Sequence, residues 1–178
     1  MLRHLPLCAV CIACANFFPV ISNSHAEAFN DALNHYDASR WQLADGWENG
    51  YPFASRWESK AISFSRKGMS IKLAPDRVLD EQGERTFFSG ELRSHDFYAF
   101  GCYEIDMKPI KAPGVVTSFF LFAGPYDKPD NGSGLHNEID IEFLGYNTNM
   151  VQLNFWTDDD DYGNSHETLI FLGFDASK

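Results

Sequence analysis

The sequence predicts an all-β sandwich, and three observations lead there. From Trp41 onward, short runs rich in aromatic and β-branched residues recur, separated by Gly, Pro, Asn and Asp clusters at intervals of about ten residues. No stretch has the length and 3.6-residue apolar period expected of a substantial helix. One segment, 137–143, alternates acid and apolar side chains over its whole length, the period of two that belongs to a strand.

The elements follow in chain order. Arg3 precedes an apolar run from Leu5 to Ile21 that closes on Ser24-His25-Ala26, the three-part layout of a secretory signal peptide cleaved after Ala26. The run contains Pro6, Asn16 and Pro19 and falls short of the roughly 20 apolar residues that a spanning helix needs. The expected organisation is therefore a signal peptide over 1–26 and one domain over 27–178, secreted or periplasmic. Residues 28–36 could form a short N-terminal helical turn. Strands are expected at 61–65, 69–73, 87–94, 101–107, 115–123, 137–143, 150–157 and 167–172. The segment 125–134 reads as a surface loop ahead of the acid-rich strand. Asp158 to Asp161 reads as a solvated hairpin tip without the spaced ligands of a calcium loop.

Charge and cysteine content narrow the function. The chain carries 25 acidic against 14 Lys and Arg side chains. Residues 1–26 contribute Arg3 and no acid, so the remaining 152 residues carry a formal charge of −12. Such a surface repels nucleic acid and anionic membranes, and neither is expected as a partner. Cys8, Cys11 and Cys14 fall in the signal segment, which leaves Cys102 alone, with no internal disulfide, as a buried thiol in a strand-like run. There is no internal repeat, glycine-rich phosphate loop, Gly-x-Ser-x-Gly elbow or Cys/His cluster after residue 26. Nucleotide, serine-hydrolase and metal-hydrolase readings have no support.

The acid-rich strand carries the chemistry. In Asn137-Glu138-Ile139-Asp140-Ile141-Glu142-Phe143 the alternation puts Glu138, Asp140 and Glu142 on one face, with Ile139, Ile141 and Phe143 turned to the core. Three like charges in a row on one face repel, a cost with no structural return. Retaining glycoside hydrolysis would use such a set: one carboxylate attacks the anomeric carbon and a second carboxylic acid protonates the departing oxygen. Glu138 and Glu142 would stand about 13 Å apart on a straight strand, so strand curvature and side-chain lean must bring their carboxyl groups toward the roughly 5 to 5.5 Å of a retaining pair. The cluster should also raise the proton affinity of at least one member. An exposed acidic face or a cation site would give the same pattern, and both stay open on the alternation alone.

Glu-Ile-Asp-Ile-Glu-Phe-Leu-Gly at 138–145 resembles the active-site signature of glycoside hydrolase family 16, in particular its bacterial lichenase branch of endo-β-1,3-1,4-glucanases. Asp45-Gly46-Trp47-Glu48-Asn49-Gly50, Glu91-Leu92-Arg93-Ser94, residues 103–109, Ser118-Phe119-Phe120, Val151-Gln152-Leu153-Asn154 and residues 172–178 resemble lichenase segments in the same order, covering nearly all of 27–178. The resemblance implies a concanavalin A-like jelly-roll sandwich, with Glu138 as nucleophile, Glu142 as acid/base and Asp140 as helper. It implies substrate contacts at Trp47, Asn49, Glu91, Arg93, Gln152, Asn154 and Trp156, a monomer, no organic cofactor and a structural calcium. Stacking of Trp47 and Trp156 on sugar rings competes with plain core packing, and for Glu91 and Arg93 a structural ion pair is the alternative.

Three departures qualify these expectations. Lichenases commonly carry a disulfide at positions matching Ser55 and Ser89, and both are serine here, a loss of about 2 to 5 kcal/mol unless compensated. A lichenase cleft Trp two positions before the nucleophile is His136 here, which opens bacterial exopolysaccharides such as succinoglycan as substrates beside β-1,3-1,4-glucan. Sandwiches of this kind run to roughly 200 to 250 residues, so a jelly roll incomplete at its C-terminus is expected. The rival function is a non-catalytic carbohydrate-binding sandwich or an inactive fragment of such an enzyme.

Overall fold

The computed structural model describes residues 29–50, 53–79, 85–98, 100–124, 136–157 and 166–178. The expected signal peptide, the loop at 125–134 and the acidic tip at 158–161 lie outside the described residues. The described chain is nearly all strand and turn: β1 (Trp41–Leu43), β2 (Ser55–Trp57), β3 (Ile62–Ser65), β4 (Gly68–Ile71), β5 (Ala74–Leu79), β6 (Arg85–Ser89), β7 (Leu92–Ser94), β8 (Val116–Ala123), β9 (Asn137–Leu144), β10 (Met150–Trp156) and β11 (Thr168–Phe171), with one 3₁₀ turn at Ser59–Ala61. No helix among the described residues is long and apolar enough to cross a membrane. The chain divides into two compact units, one formed by Cys102–Lys178 and the other by the described residues up to Gly101.

In the unit that ends at Gly101, β1 pairs with β7, β3 with β4, and β2, β6 and β5 form a three-stranded sheet in that order. Residues 87–94, expected as one strand, are two. The chain breaks at Gly90 and Glu91, so that β6 joins β2 and β5 while β7 crosses to β1. Gly90 permits the break, since a Cβ there would stand 2.5 Å from Ile62 Cγ1. β5 escaped the sequence reading because Pro75 cannot donate a ladder hydrogen bond. It is tolerated because β5 lies at the sheet edge, with its register shifted between Pro75 and Leu79. Ser55 and Ser89 sit on the adjacent parallel strands β2 and β6, offset by two positions in register.

The helical turn expected at 28–36 does not form over 29–36. The Asp31 carboxylate instead accepts the Leu33 N–H at 2.8 Å and the Trp41 indole N–H at 2.9 Å, and Leu33 takes a φ of +49°. A side chain that binds its own backbone two residues on competes directly with helix hydrogen bonding.

The unit over Cys102–Lys178 is one antiparallel sheet in the order β11-β10-β9-β8. β9 is central, and all eight of its residues are in register with β8, Asn137 opposite Ala123 and Leu144 opposite Val116. Gly145 ends β9 with its N–H on the Val115 carbonyl at 2.7 Å, and a Cβ there would run into the carbonyl oxygens of Ala112 and Val115. The turn that follows is clamped by Asp175. Its carboxylate accepts Thr148 Oγ1 at 2.5 Å, Ser177 Oγ at 2.7 Å and Lys111 Nζ at 2.8 Å, and these donors, Lys111 foremost, hold it well below the usual carboxylate range.

Three expectations fail in this unit. Residues 101–107 form no strand, and Cys102 is exposed rather than buried. Alternation in that segment specifies two faces but supplies no ladder partner, and no described strand pairs with it. Along β9, Phe143 is buried as expected, yet Ile139 is 44% exposed while Asp140 is 7% exposed. The cause lies in the cross-strand neighbours: Phe120, Phe122 and Trp156 stand beside the acids on their own face and cover the middle of the row.

Candidate active site

The carboxylate row is set by β9 and furnished by its neighbours. The register places Phe122 and Trp156 opposite Glu138, Phe120 and Asn154 opposite Asp140, and Ser118 and Gln152 opposite Glu142. Every second residue of each strand shares this face, so a period of two on three adjacent strands assembles it.

Each acid meets a different donor. His136 Nε2 lies 2.7 Å from Glu138 Oε2, Trp156 Nε1 donates to Asp140 Oδ2 at 3.1 Å, and Gln152 Nε2 donates to Glu142 Oε2 at 3.1 Å. The His136 ring lies nearly parallel to Trp156, with centroids 6.2 Å apart and planes at 21°, and meets Phe122 at 5.4 Å and 60°. Asn154 is buried between strands, and its Oδ1 has no hydrogen-bond partner among the described residues.

Burial and repulsion then separate the protonation states. Loss of water around Asp140, followed by the charges of Glu138 and Glu142, pushes its carboxyl up to about 7, against the opposing Trp156 hydrogen bond. Glu142 is also raised, by burial first and then by the charges of Glu138 and Glu167, while the Gln152 amide opposes the change. Burial and repulsion thus raise the proton affinity of both Asp140 and Glu142, and acid-assisted displacement at an acetal carbon needs such a carboxyl that keeps its proton.

Of the residues expected at the site, β10 brings Gln152, Asn154 and Trp156 beside Glu138, Asp140 and Glu142. Trp47, Asn49, Glu91 and Arg93 belong to the other unit. The Arg93 guanidinium pairs with the buried Glu91 carboxylate and lies 5.7 Å from the Trp47 ring centre, and Asn49 Oδ1 accepts the Trp57 indole N–H at 3.1 Å. Two contributors were given no role at the carboxylate row from the sequence, where His136 was read only as a cleft position bearing on substrate choice. His136 stands two positions before Glu138, so the period of two already placed it on the acid face. Glu167 follows the acidic segment at 158–161 and lies one register step beyond the Leu153–Thr168 pair, alongside Asn154, and only strand pairing reveals it. Among the described residues no three His, Cys, Asp or Glu side chains are grouped as a metal site.

Comparison with known proteins places this site in context. Residues 49–178 match the family model described as glycosyl hydrolases family 16. The chain is 38% identical over 162 residues to a β-glucanase of Paenibacillus polymyxa, an alignment covering 91% of this chain and 63% of that protein. Among solved structures, a prokaryotic β-1,3-1,4-glucanase (lichenase) from a mouse hindgut metagenome superimposes with a TM-score of 0.72 at 35% identity, covering 84% of this chain and 65% of the other. The Bacillus licheniformis β-glucanase gives a TM-score of 0.66 at 37% identity, covering 82% and 62%. The chain thus spans less than two thirds of the length of these relatives.

Proposed function

The chain belongs to glycoside hydrolase family 16, and from that premise we propose that it is an endo-acting, retaining β-glycanase. The observation that carries the proposal is the row of three carboxyl groups on one strand face, each with its own donor and one holding a proton near neutral pH.

In this reading Glu138 attacks the anomeric carbon as its carboxylate, and the glycosidic C–O bond breaks as Glu142 passes its proton to the leaving oxygen. The ester at Glu138 is then hydrolysed by a water whose proton returns to Glu142, with the C1–O bond electrons going back to the Glu138 carboxylate. Asp140 sits between them and, while protonated, hydrogen-bonds Glu138, so that two adjacent full charges are avoided. Trp156, beside the acids on β10, offers a ring for a sugar face.

The substrate we propose is a β-1,3-1,4-glucan, on the strength of the relatives described as β-glucanases and lichenase. His136, where lichenases carry a Trp, keeps an exopolysaccharide such as succinoglycan as the second candidate. Export after cleavage at Ala26 is part of the same reading. The test is reducing-sugar release from barley β-glucan and from succinoglycan by the chain and by its Glu138→Gln variant. Release by the parent that vanishes in the variant is the expected result. Binding without release would instead identify a carbohydrate-binding sandwich.

A further inference from the structure

We propose that His136 is a positioning residue for Glu138, and that its N–H favours the second half of the reaction, in which Glu138 leaves the sugar. The inference rests on the glycanase reading above. The two rings that bracket the imidazole come from the two strands flanking β9: Phe122 from β8 and Trp156 from β10, both opposite Glu138 in register. With a neighbour on either side, the ring has little freedom to turn, and its Nε2 stays 2.7 Å from Glu138 Oε2. The Glu138 side chain is 22% exposed and that of His136 33% exposed, so water competes only partly for this contact. Because an ionised carboxylate only accepts, the imidazole must present its N–H at Nε2.

The chemistry gives this contact a direction. When Glu138 attacks, its negative charge is spent in the new C1–O bond, and a donor that stabilises the carboxylate gives no help to that step. When the ester breaks, the bond electrons return to the Glu138 oxygen, and a preplaced N–H meets the charge as it forms. Glu138 is the charged group at the His136 Nε2, and Phe122 on β8 and Trp156 on β10 are the rings beside it, so the Glu138 carboxylate is the neighbour it serves. A tryptophan at 136 could offer an indole N–H only from a different ring position, so the identity of this residue alters the balance between the two half-reactions.

The test uses an oligo-β-glucoside with a 2,4-dinitrophenyl leaving group, the intact chain, and the variants His136→Phe and His136→Gln. Phe retains a ring for Phe122 and Trp156 and loses the donor, while Gln restores an N–H. In the Phe variant we expect kcat to fall roughly 10- to 100-fold, in line with loss of a hydrogen bond to a charged group, and KM to fall with it as the glycosyl-enzyme accumulates and is seen by intact mass. The Gln variant should recover most of the rate. Unchanged kcat and KM in the Phe variant, or equal losses in both variants with KM unmoved, would overturn the proposal while leaving the glycanase reading in place. A parent that neither hydrolyses this substrate nor forms the adduct would overturn both. Independently of any variant, long-range ¹⁵N–¹H spectra of the parent should show His136 protonated at Nε2; a proton confined to Nδ1 would also overturn it.

Discussion

Replacing Asp140 with Asn should stabilise the chain at alkaline pH, and do so less at mildly acidic pH. Asp140 is 7% exposed, and its carboxyl is pushed from an ordinary 3.8 up to about 7, chiefly by burial and then by Glu138 and Glu142. Between those two values the folded chain binds a proton that the unfolded chain has released. Stability therefore falls as pH rises through this window, and the penalty is complete above it. At about 1.36 kcal/mol for each tenfold change in proton affinity, the full difference would approach roughly 4 kcal/mol. Water at the rim of the row and adjustment among three coupled acids reduce it, and about 2 kcal/mol is the expected gain at pH 8.5. Asn keeps the shape and can still accept from Trp156 Nε1; at pH 5 the folded Asp140 is neutral while the unfolded one is already ionised, so part of the penalty is present and the gain should be about 1 kcal/mol or less. Urea unfolding of both proteins at the two pH values measures this directly. An equal difference at pH 5 and pH 8.5, or a destabilised variant at pH 8.5, would refute the argument that the site stores strain as an unwelcome charge.

Other perturbations address the neighbours. Glu167→Gln removes one of the charges that raise Glu142, so the alkaline limb of the rate profile should move to lower pH, and a pH–rate comparison with the parent checks the sign. Gly145→Ala should cost about 2 to 4 kcal/mol, because the added Cβ meets the carbonyl oxygens of Ala112 and Val115 and no flexible side chain can yield there; the loss should appear as a lowered unfolding midpoint.

The parts of this protein that the sequence makes legible are those fixed by a period of two. The alternation in 137–143 gave β9, its faces and the grouping of Glu138, Asp140 and Glu142, because side-chain direction in a strand is a local property. Gln152, Asn154 and Trp156 were expected from the resemblance to family 16, and strand pairing sets them beside the acids. What depends on the partner strand was hidden. Residues 101–107 alternate but find no described ladder, and β5 pairs despite Pro75 because it lies at an edge. Burial was hidden for the same reason: nothing in Ile139 and Asp140 themselves reveals that the acid is the more deeply covered of the two. His136 and Glu167 belong to the same class, since their roles depend on a contact at 2.7 Å and on a cross-strand register.

The role proposed for Glu138, nucleophile in a retaining hydrolysis, is read out by anomeric proton NMR during cleavage of a β-1,3-1,4-glucan oligosaccharide. The parent should release the β-anomer first, with the α-anomer appearing only by mutarotation, and Glu138→Gln should release neither. Initial release of the α-anomer, or undiminished release by the Glu138→Gln variant, would contradict it.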